Sequence, residues 1–508
     1  VSIEAKSGVS IRFAIPNHPW VDEKDGAAVR IAMTVAAPQG KSGREAGMIQ
    51  TVIDESGAPQ TITFGINLGL ISADLRIGAD VASTKALDAN ENLCSPGVKL
   101  HGNGFIVTPE QAEALSVQIT YAQPPNIRTG IGDGDAVIFD YRNGRDLASR
   151  PRGVKVIDLY GLIEADVRDR HPAVYQHVLA NVKPHRDENN RASYRENWWL
   201  FGEQRSELRK ALRGVTRYIA TIETAKHRVF QFLRMSILPD NKLACIALDD
   251  AFWLGVLSSR FHVPWAIASG GRLGMGDDPV YVKSRCFDPF PFPADVPETL
   301  KDKIRAEAEA LDALRKRVLA EHEDLTLTKI YNVLEALREG RDLTDAERDM
   351  HDRGLVTLIR QHHDAIDALV AEAYGWPADL SDEDILNRLV ALNRERAAEE
   401  SRGLVRWLRP EFQNPQTDNW LDTGSGVKPV RPEAVAEHLP DNVIAWPGSL
   451  PEQVSAVQQV LSSAQVPLAP QDVARAFQGK RAATVRPVLD ALAGIGMARR
   501  LKDGRYAA

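Results

Sequence analysis

The spacing of apolar positions changes character four times along the chain. Val9-Ser-Ile-Arg-Phe-Ala14 alternates apolar with polar residues, and Ala28-Val-Arg-Ile-Ala-Met-Thr-Val35 repeats the alternation, the period-two signature of half-buried strands. Asp22-Glu-Lys-Asp-Gly26 between them carries turn chemistry, and Asn17-His-Pro-Trp20 is expected to be loop. An isolated hairpin is at best marginal in water, so residues 1–59 are predicted to be the closing strands of an α/β sheet whose remainder lies upstream of Val1. Residues 60–295 are mixed. Short β-branched runs such as Val154–Asp158 and Thr216–Ile222, punctuated by Gly and Pro, predict an α+β domain. It is expected to end at Phe287-Asp-Pro-Phe-Pro-Phe-Pro293, where three prolines forbid ladder or helix bonding and predict an extended linker.

Residues 296–413 switch to helical periodicity. Leu355, Leu358, Ile359, Ile366, Leu369, Val370 and Ala373 recur at spacings of three and four, which predicts a helical bundle or arm. Thr344-Asp-Ala-Glu347 fits a capping box, and Ser381 precedes an acidic turn as an N-cap. A polar stretch over 414–445 predicts a linker. Residues 446–508 then form a small module: helices over Pro451–Ala464, Pro470–Gln478 and Thr484–Leu492, with Pro487 placed in the first turn of the third, then two short polar strands around Asp503-Gly504. Three helices and a hairpin predict a winged helix-turn-helix, and the fold class as a whole is α+β.

Composition adds limits more than identity. The 508 residues suffice for about three or four domains. The formal net charge is -7, so any nucleic-acid surface must be a local patch. Cys94, Cys245 and Cys286 are odd in number and far apart, which predicts reduced thiols and a cytoplasmic location. No apolar run approaches the roughly 20 residues of a membrane span. The segment after Val1 lacks the features of a signal peptide, and the chain is expected to be truncated at its start.

One patch does stand out. From Pro125 to Met235 there are 20 Lys/Arg against 14 Asp/Glu, a surplus of 20 − 14 = 6 in an otherwise acidic chain. Arg142, Asn143, Arg145, Arg150, Arg152, Lys226 and Arg228 are its candidate DNA contacts, because Arg forks onto guanine, Asn onto adenine, and Lys seats phosphate. The alternative is that these charges solvate surface or pair with neighbouring acids. The tail repeats the pattern with eight Lys/Arg against four acids, and Lys480, Arg481, Arg499 and Arg500 are its candidates.

Other motifs carry less. Trp198-Trp199 with Phe201 is expected to be core rather than a base-stacking platform. His362-His363 is expected on a solvated helix face. Gly130-Ile-Gly-Asp-Gly134 and Gly270-Gly-Arg-Leu-Gly-Met-Gly276 lack the strand-then-helix setting of a cofactor loop. Pro239-Asp240 is not followed by the acidic-x-Lys triplet of a nuclease, HExxH is absent, and so is the zinc-deaminase pattern. No catalytic, cofactor-binding or metal-ligating residue is assigned.

Taken in order, several segments resemble a known family, the class I DNA methyltransferases of the single-chain restriction and phage-defence type with fused recognition domains. Ser10–Trp20 with Ala27–Val35 resembles the last strands of the methyltransferase fold; Tyr141-Arg-Asn-Gly-Arg-Asp-Leu147 with Val156–Leu159 resembles the entry to the target-recognition domain over 60–295. Arg217-Tyr-Ile-Ala-Thr221, Leu238–Lys242, Leu254–Ser259 and Phe287–Pro293 resemble its later part and exit. The resemblance implies a full-length enzyme that moves a methyl group from S-adenosylmethionine to adenine N6 in double-stranded DNA after extruding the base. The family's glycine-rich loop and Asn-Pro-Pro-aromatic segment would precede Val1, so this chain alone is expected to be inactive and not to bind the cofactor tightly. The alternatives are a DNA-binding regulator without chemistry and a protein-interaction subunit of a defence complex.

Overall fold

The computed structural model describes residues 9–20, 29–38, 46–56, 61–71, 75, 77–116, 136–273, 278–415, 445–447, 449–463, 468–477, 482–494, 497–500 and 505–507. The chain divides into two compact units, Val1–Asn419 and Trp420–Ala508.

The first unit begins with a four-stranded sheet of Val9–Trp20 (β1), Val29–Pro38 (β2), Gly47–Ser56 (β3) and Thr61–Gly69 (β4), in the order β2-β1-β3-β4. The two alternating runs pair antiparallel as expected. Asn17–Trp20 is strand rather than the expected loop: a register shift between Ile15 and His18 absorbs the irregularity, so β1 continues to Trp20. The sheet runs past position 59 to Gly69: β3 pairs with β1 and β4 with β3, so two further strands that the hairpin was expected to find upstream come from downstream. The turn over Asp22–Gly26 lies outside the described residues.

Two further four-stranded sheets interleave in sequence. Their strands are Cys94–Pro96 (β5), Ile106–Val107 (β6), Ile138–Arg142 (β7), Lys155–Ile157 (β8), Arg217–Ile222 (β9), Phe230–Arg234 (β10), Ile237–Pro239 (β11) and Leu243–Ile246 (β12), in the orders β10-β9-β12-β5 and β11-β7-β8-β6. Five short helices separate β8 from β9. Both faces of the first of these sheets are apolar. Tyr218, Ala220, Leu243 and Cys245 join the core of the second sheet and the short helices, whereas Ile219, Phe230, Phe232, Ala244 and Ile246 join the core of the helical region. A strand buried on both sides loses the alternation that marks a half-buried one. Trp198, Trp199 and Phe201 lie in the first of those cores, as expected.

The helical region is built from Glu298–Glu321, Leu327–Arg338, Asp345–Arg353, Val356–Tyr374 and Asp382–Ser401. The capping box at Thr344/Glu347 and the Ser381 cap both form. His363 departs from the solvated face expected for it: it is buried, with Nε2 2.8 Å from the Tyr331 hydroxyl, and burial lowers its pKa. Its neighbour His362 sits 2.7 Å from Glu307.

The proline-rich segment Phe287–Pro293 is the clearest correction. It is irregular, but it is not an extended linker: Phe287 and Phe290 are fully buried and Phe292 nearly so. Asn90 Nδ2 donates to the carbonyls of Phe287, Asp288 and Phe290 at 2.8–3.1 Å, Asn393 Nδ2 to that of Pro289 at 2.6 Å, and the Tyr374 hydroxyl to that of Pro291 at 3.0 Å. Prolines remove donors but leave acceptors, and a buried acceptor must be met. Distant amides meet these, so the strap packs as core and joins β9, β10 and β12 to the helices across position 295.

The second unit has its own core, including Val457, Leu461, Val473, Phe477, Val485, Leu489 and Tyr506. Helices Leu450–Ser463, Pro470–Arg475 and Ala482–Gly494 precede an antiparallel pair, Arg499–Arg500 with Tyr506–Ala507. The third helix starts earlier than expected, which puts Pro487 at its sixth position rather than in the first turn. The Asp503-Gly504 turn and the linker from 416 to 444 lie outside the described residues. No helix among the described residues is long and apolar enough to cross a membrane.

Candidate nucleic-acid interface

The candidate surface starts at the end of β7. Parallel pairing with β11 holds this strand, and Asp240 N donates to the Arg142 carbonyl at 2.8 Å. Tyr141 anchors the same point through its hydroxyl, 2.6 Å from Asp240 Oδ2; burial first, and then that carboxylate, push the phenol far up. The chain then turns into Gly144–Ala148 (α1). Asn143 is the N-cap: its Oδ1 accepts from Arg145 N at 3.0 Å and Asp146 N at 3.3 Å, while Asp146 reaches back to Asn143 N, completing a capping box. A base-reading Asn needs both its oxygen and its amide free in one plane, and this oxygen is engaged twice.

Asp146 also organises Arg152. Its buried carboxylate accepts Arg152 Nε and Nη2 at 2.9 and 2.8 Å and Arg152 N at 3.0 Å. Burial raises the Asp146 pKa, but the Arg152 and backbone donors outweigh it and the carboxyl ends below its ordinary value. Arg152 is therefore a fork tied to the protein rather than to a partner.

Arg228 is a correction. The sequence offers it to DNA, but it is buried: Nη1 donates to Thr221 Oγ1 at 3.1 Å and to the Ile222 carbonyl, and Nη2 to the carbonyls of Glu223 and Pro279 at 3.4 and 3.0 Å. It lies over the Tyr281 ring, and burial lowers its pKa. An exposed lysine in the same run, Lys226, instead reaches Asn332 Oδ1 at 2.8 Å and Glu335 at 3.4 Å.

The remaining candidates differ in freedom. Arg145 is exposed, with no side-chain ion pair among the described residues. Arg142 is half-buried and bonds its own chain at the Tyr141 carbonyl, 3.2 Å away. Arg150 is exposed and ion-paired with Glu323. Lys480 and Arg481 lie outside the described residues, and Arg499 and Arg500 are placed only as strand positions opposite Ala507 and Tyr506.

Many of the cations between Pro125 and Met235 are thus already paired. Among the described residues, at least ten of them lie within 4.0 Å of a carboxylate, and Arg209–Asp158 is a fully buried pair at 2.7 Å. Several of these acids come from the helical region, including Glu309, Glu323 and Glu335. One further cation, Lys329, whose Nζ donates to the carbonyl of Asp324, the residue after Glu323, was not anticipated. Its position 179 residues beyond Arg150 gives no sequence signal.

The glycine-rich segment at Gly270 opens not into a helix but into a hairpin, Gly271–Leu273 (β13) paired with Asp278–Val280 (β14), so the described residues do not fit a cofactor loop. Gly130–Gly134 lies outside the described residues. Among the described residues, no group of three His, Cys, Asp or Glu is placed to hold a metal ion. The three cysteines are free and buried, and burial pushes their thiols up.

No protein-family model matches the chain, and no curated protein matches it. Among solved structures, the chain is similar to that of the Type IIL restriction-modification enzyme MmeI in complex with DNA, with a TM-score of 0.57 and 16% sequence identity, over 78% of this chain. The chain spans 47% of the length of that enzyme. The likeness is one of fold, and that fold is α+β, as the sequence predicts.

Proposed function

We propose that this chain is the DNA-recognition and carboxy-terminal part of an adenine N6 DNA methyltransferase in a restriction-modification or phage-defence system. The observation that carries the proposal is the shared fold, over 78% of the chain, with a restriction-modification enzyme solved on DNA. The ordered run of segments resembling such methyltransferases points the same way. On this reading, double-stranded DNA lies against Arg142, Arg145, Arg150 and Lys226, while Asn143, Arg152 and Arg228 hold the surface in shape. The tail, read as a winged helix-turn-helix, adds non-specific contacts through Lys480, Arg481, Arg499 and Arg500. S-adenosylmethionine would be held by residues outside this chain, and no described residue is assigned to it.

Titration of the 508-residue chain with duplex DNA at several salt concentrations tests the reading. Phosphate contacts release counterions, so affinity should start near the non-specific range of about 10⁻⁴ to 10⁻⁶ M and fall steeply with salt. A slope near zero would remove DNA from the account. It would favour a protein-interaction subunit, the reading supported by the ion pairing of many cations of the basic stretch. Calorimetry should find no tight S-adenosylmethionine site on this chain; a micromolar site would overturn that part.

A further inference from the structure

A small depression has Ala148, Ile222, Ala225, His227, Leu327 and Thr328 among its lining residues. These residues come from three stretches far apart in sequence: the end of α1, the segment from β9 to β10, and the start of the helix Leu327–Arg338 (α2). Each stretch carries a cation within three residues of the lining in sequence. Arg145 and Arg150 flank Ala148, Lys226 lies between Ala225 and His227, and Lys329 follows Thr328. The lining itself is small and largely apolar, so charge is the feature that a partner would meet.

Two of these cations are held by carboxylates of the helical region. Arg150 pairs with Glu323, with side chains 53% and 77% exposed, and Lys226 pairs with Glu335, both 51% exposed. Lys226 Nζ and His227 Nε2 also converge on Asn332 Oδ1, each at 2.8 Å. Lys329 Nζ donates to the Asp324 carbonyl at 2.7 Å, beside Glu323. Exposed pairs of this kind contribute little to folding and exchange partners easily.

We propose that this depression is a seat for the phosphate backbone of duplex DNA, and that Glu323 and Glu335 occupy its cations until the phosphates arrive. The proposal rests on the DNA-recognition reading above and adds to it a contribution from the helical region. A phosphate presents anionic oxygens to Arg and Lys as a carboxylate does, but its binding also releases condensed counterions, which drives the exchange. Arg150 and Lys226 then turn from Glu323 and Glu335 to the backbone, with Arg145 and Lys329 adding contacts that displace no carboxylate. These contacts carry no base information and set register only.

Duplex binding by the whole chain, measured on a random-sequence duplex at one salt concentration, tests the exchange through double-mutant cycles. Glu323→Gln and Glu335→Gln should each tighten binding about two- to fivefold, the range of an exposed ion pair. The gain from Glu323→Gln should vanish in an Arg150→Ala background, and that from Glu335→Gln in a Lys226→Ala background. Glu207→Gln, which frees Lys210 away from the depression, is the control for a general change of charge. Equal gains with and without the paired cation, or gains no larger than the control, would overturn the exchange while leaving DNA recognition standing. Absence of salt-dependent binding by the unaltered chain would remove the DNA-recognition reading, and the seat with it.

Discussion

Lys226 and Arg228 stand two positions apart in one basic run, yet they belong to different regions of the molecule. Arg228 lies in the apolar layer around β9, β10 and Tyr281, its guanidinium shared among carbonyls and a hydroxyl. Lys226 stands on the rim of the depression, half exposed and held by an amide and a carboxylate. The same contrast separates Arg209, buried against Asp158, from Arg150, exposed against Glu323. Positive charge in the sequence therefore had two fates. In the interior it satisfies acceptors that the fold leaves unpaired. On the surface it stays exchangeable, and only there does it describe a partner.

The contrast is tested most severely at Asp158. Replacing it by Ala leaves the Arg209 guanidinium buried without its counter-charge, and the loss should be about 3–5 kcal/mol of unfolding free energy in urea. A loss below 1 kcal/mol would mean that Arg209 reaches solvent at no cost, and the division into interior and rim arginines would fail there.

Arg228→Met keeps the length of the side chain but abandons its acceptors. Since a buried polar group without a partner costs about 1–3 kcal/mol, the variant should lose about 2–3 kcal/mol in the same measurement. DNA affinity measured at a temperature where the variant is folded should change little. A selective loss of DNA binding without loss of stability would return Arg228 to the interface.

Carboxylates sharpen the comparison with the opposite sign. Burial pushes Asp367 up to about 6, against the stabilising bond from Arg260 N, whereas Arg353 beside the exposed Asp324 holds that carboxyl down at about 2. Because Asp367 is easier to protonate in the folded chain than in the unfolded one, the folded state binds more protons between pH 4 and 6, and stability falls as pH rises through that window. Asp367→Asn removes this term, so its stability relative to the unaltered chain should rise by about 1–2 kcal/mol from pH 4 to pH 7. A flat difference across that range would show that Asp367 is well solvated.

The smallest effect belongs to the rim. Lys226→Ala should change stability by no more than about 0.5 kcal/mol. If Lys226 meets a phosphate, the slope of log affinity against log salt should shrink by about 0.9. An unchanged slope would leave Lys226 as a solvated lysine.

Much of the secondary structure was legible because local rules suffice for it. Alternation in Val9–Ala14 and Ala28–Val35 marked a strand pair, Thr344 with Glu347 a helix start, and the two tryptophans at 198 and 199 a piece of core. The strap at Phe287–Pro293 was misjudged because proline was judged by the donors it removes. The donors that meet its carbonyls sit on Asn90 and Asn393, almost two hundred residues upstream and about a hundred downstream. His363 was misplaced for a similar reason, since the Tyr331 hydroxyl that it meets stands on another helix, 32 residues upstream.

By itself, then, the sequence determined the α+β class, the helical character of 296–413, the helices of the tail and the presence of a basic stretch, because periodicity and capping act over a few residues. Tertiary structure alone decided which cations of that stretch remained available. Burial and ion pairing depend on residues brought together from elements far apart: Thr221 and Pro279 around Arg228, Glu323 against Arg150, Asn332 and Glu335 against Lys226. Charge is a property of a residue, but its freedom to meet a partner is a property of the place where the fold puts it.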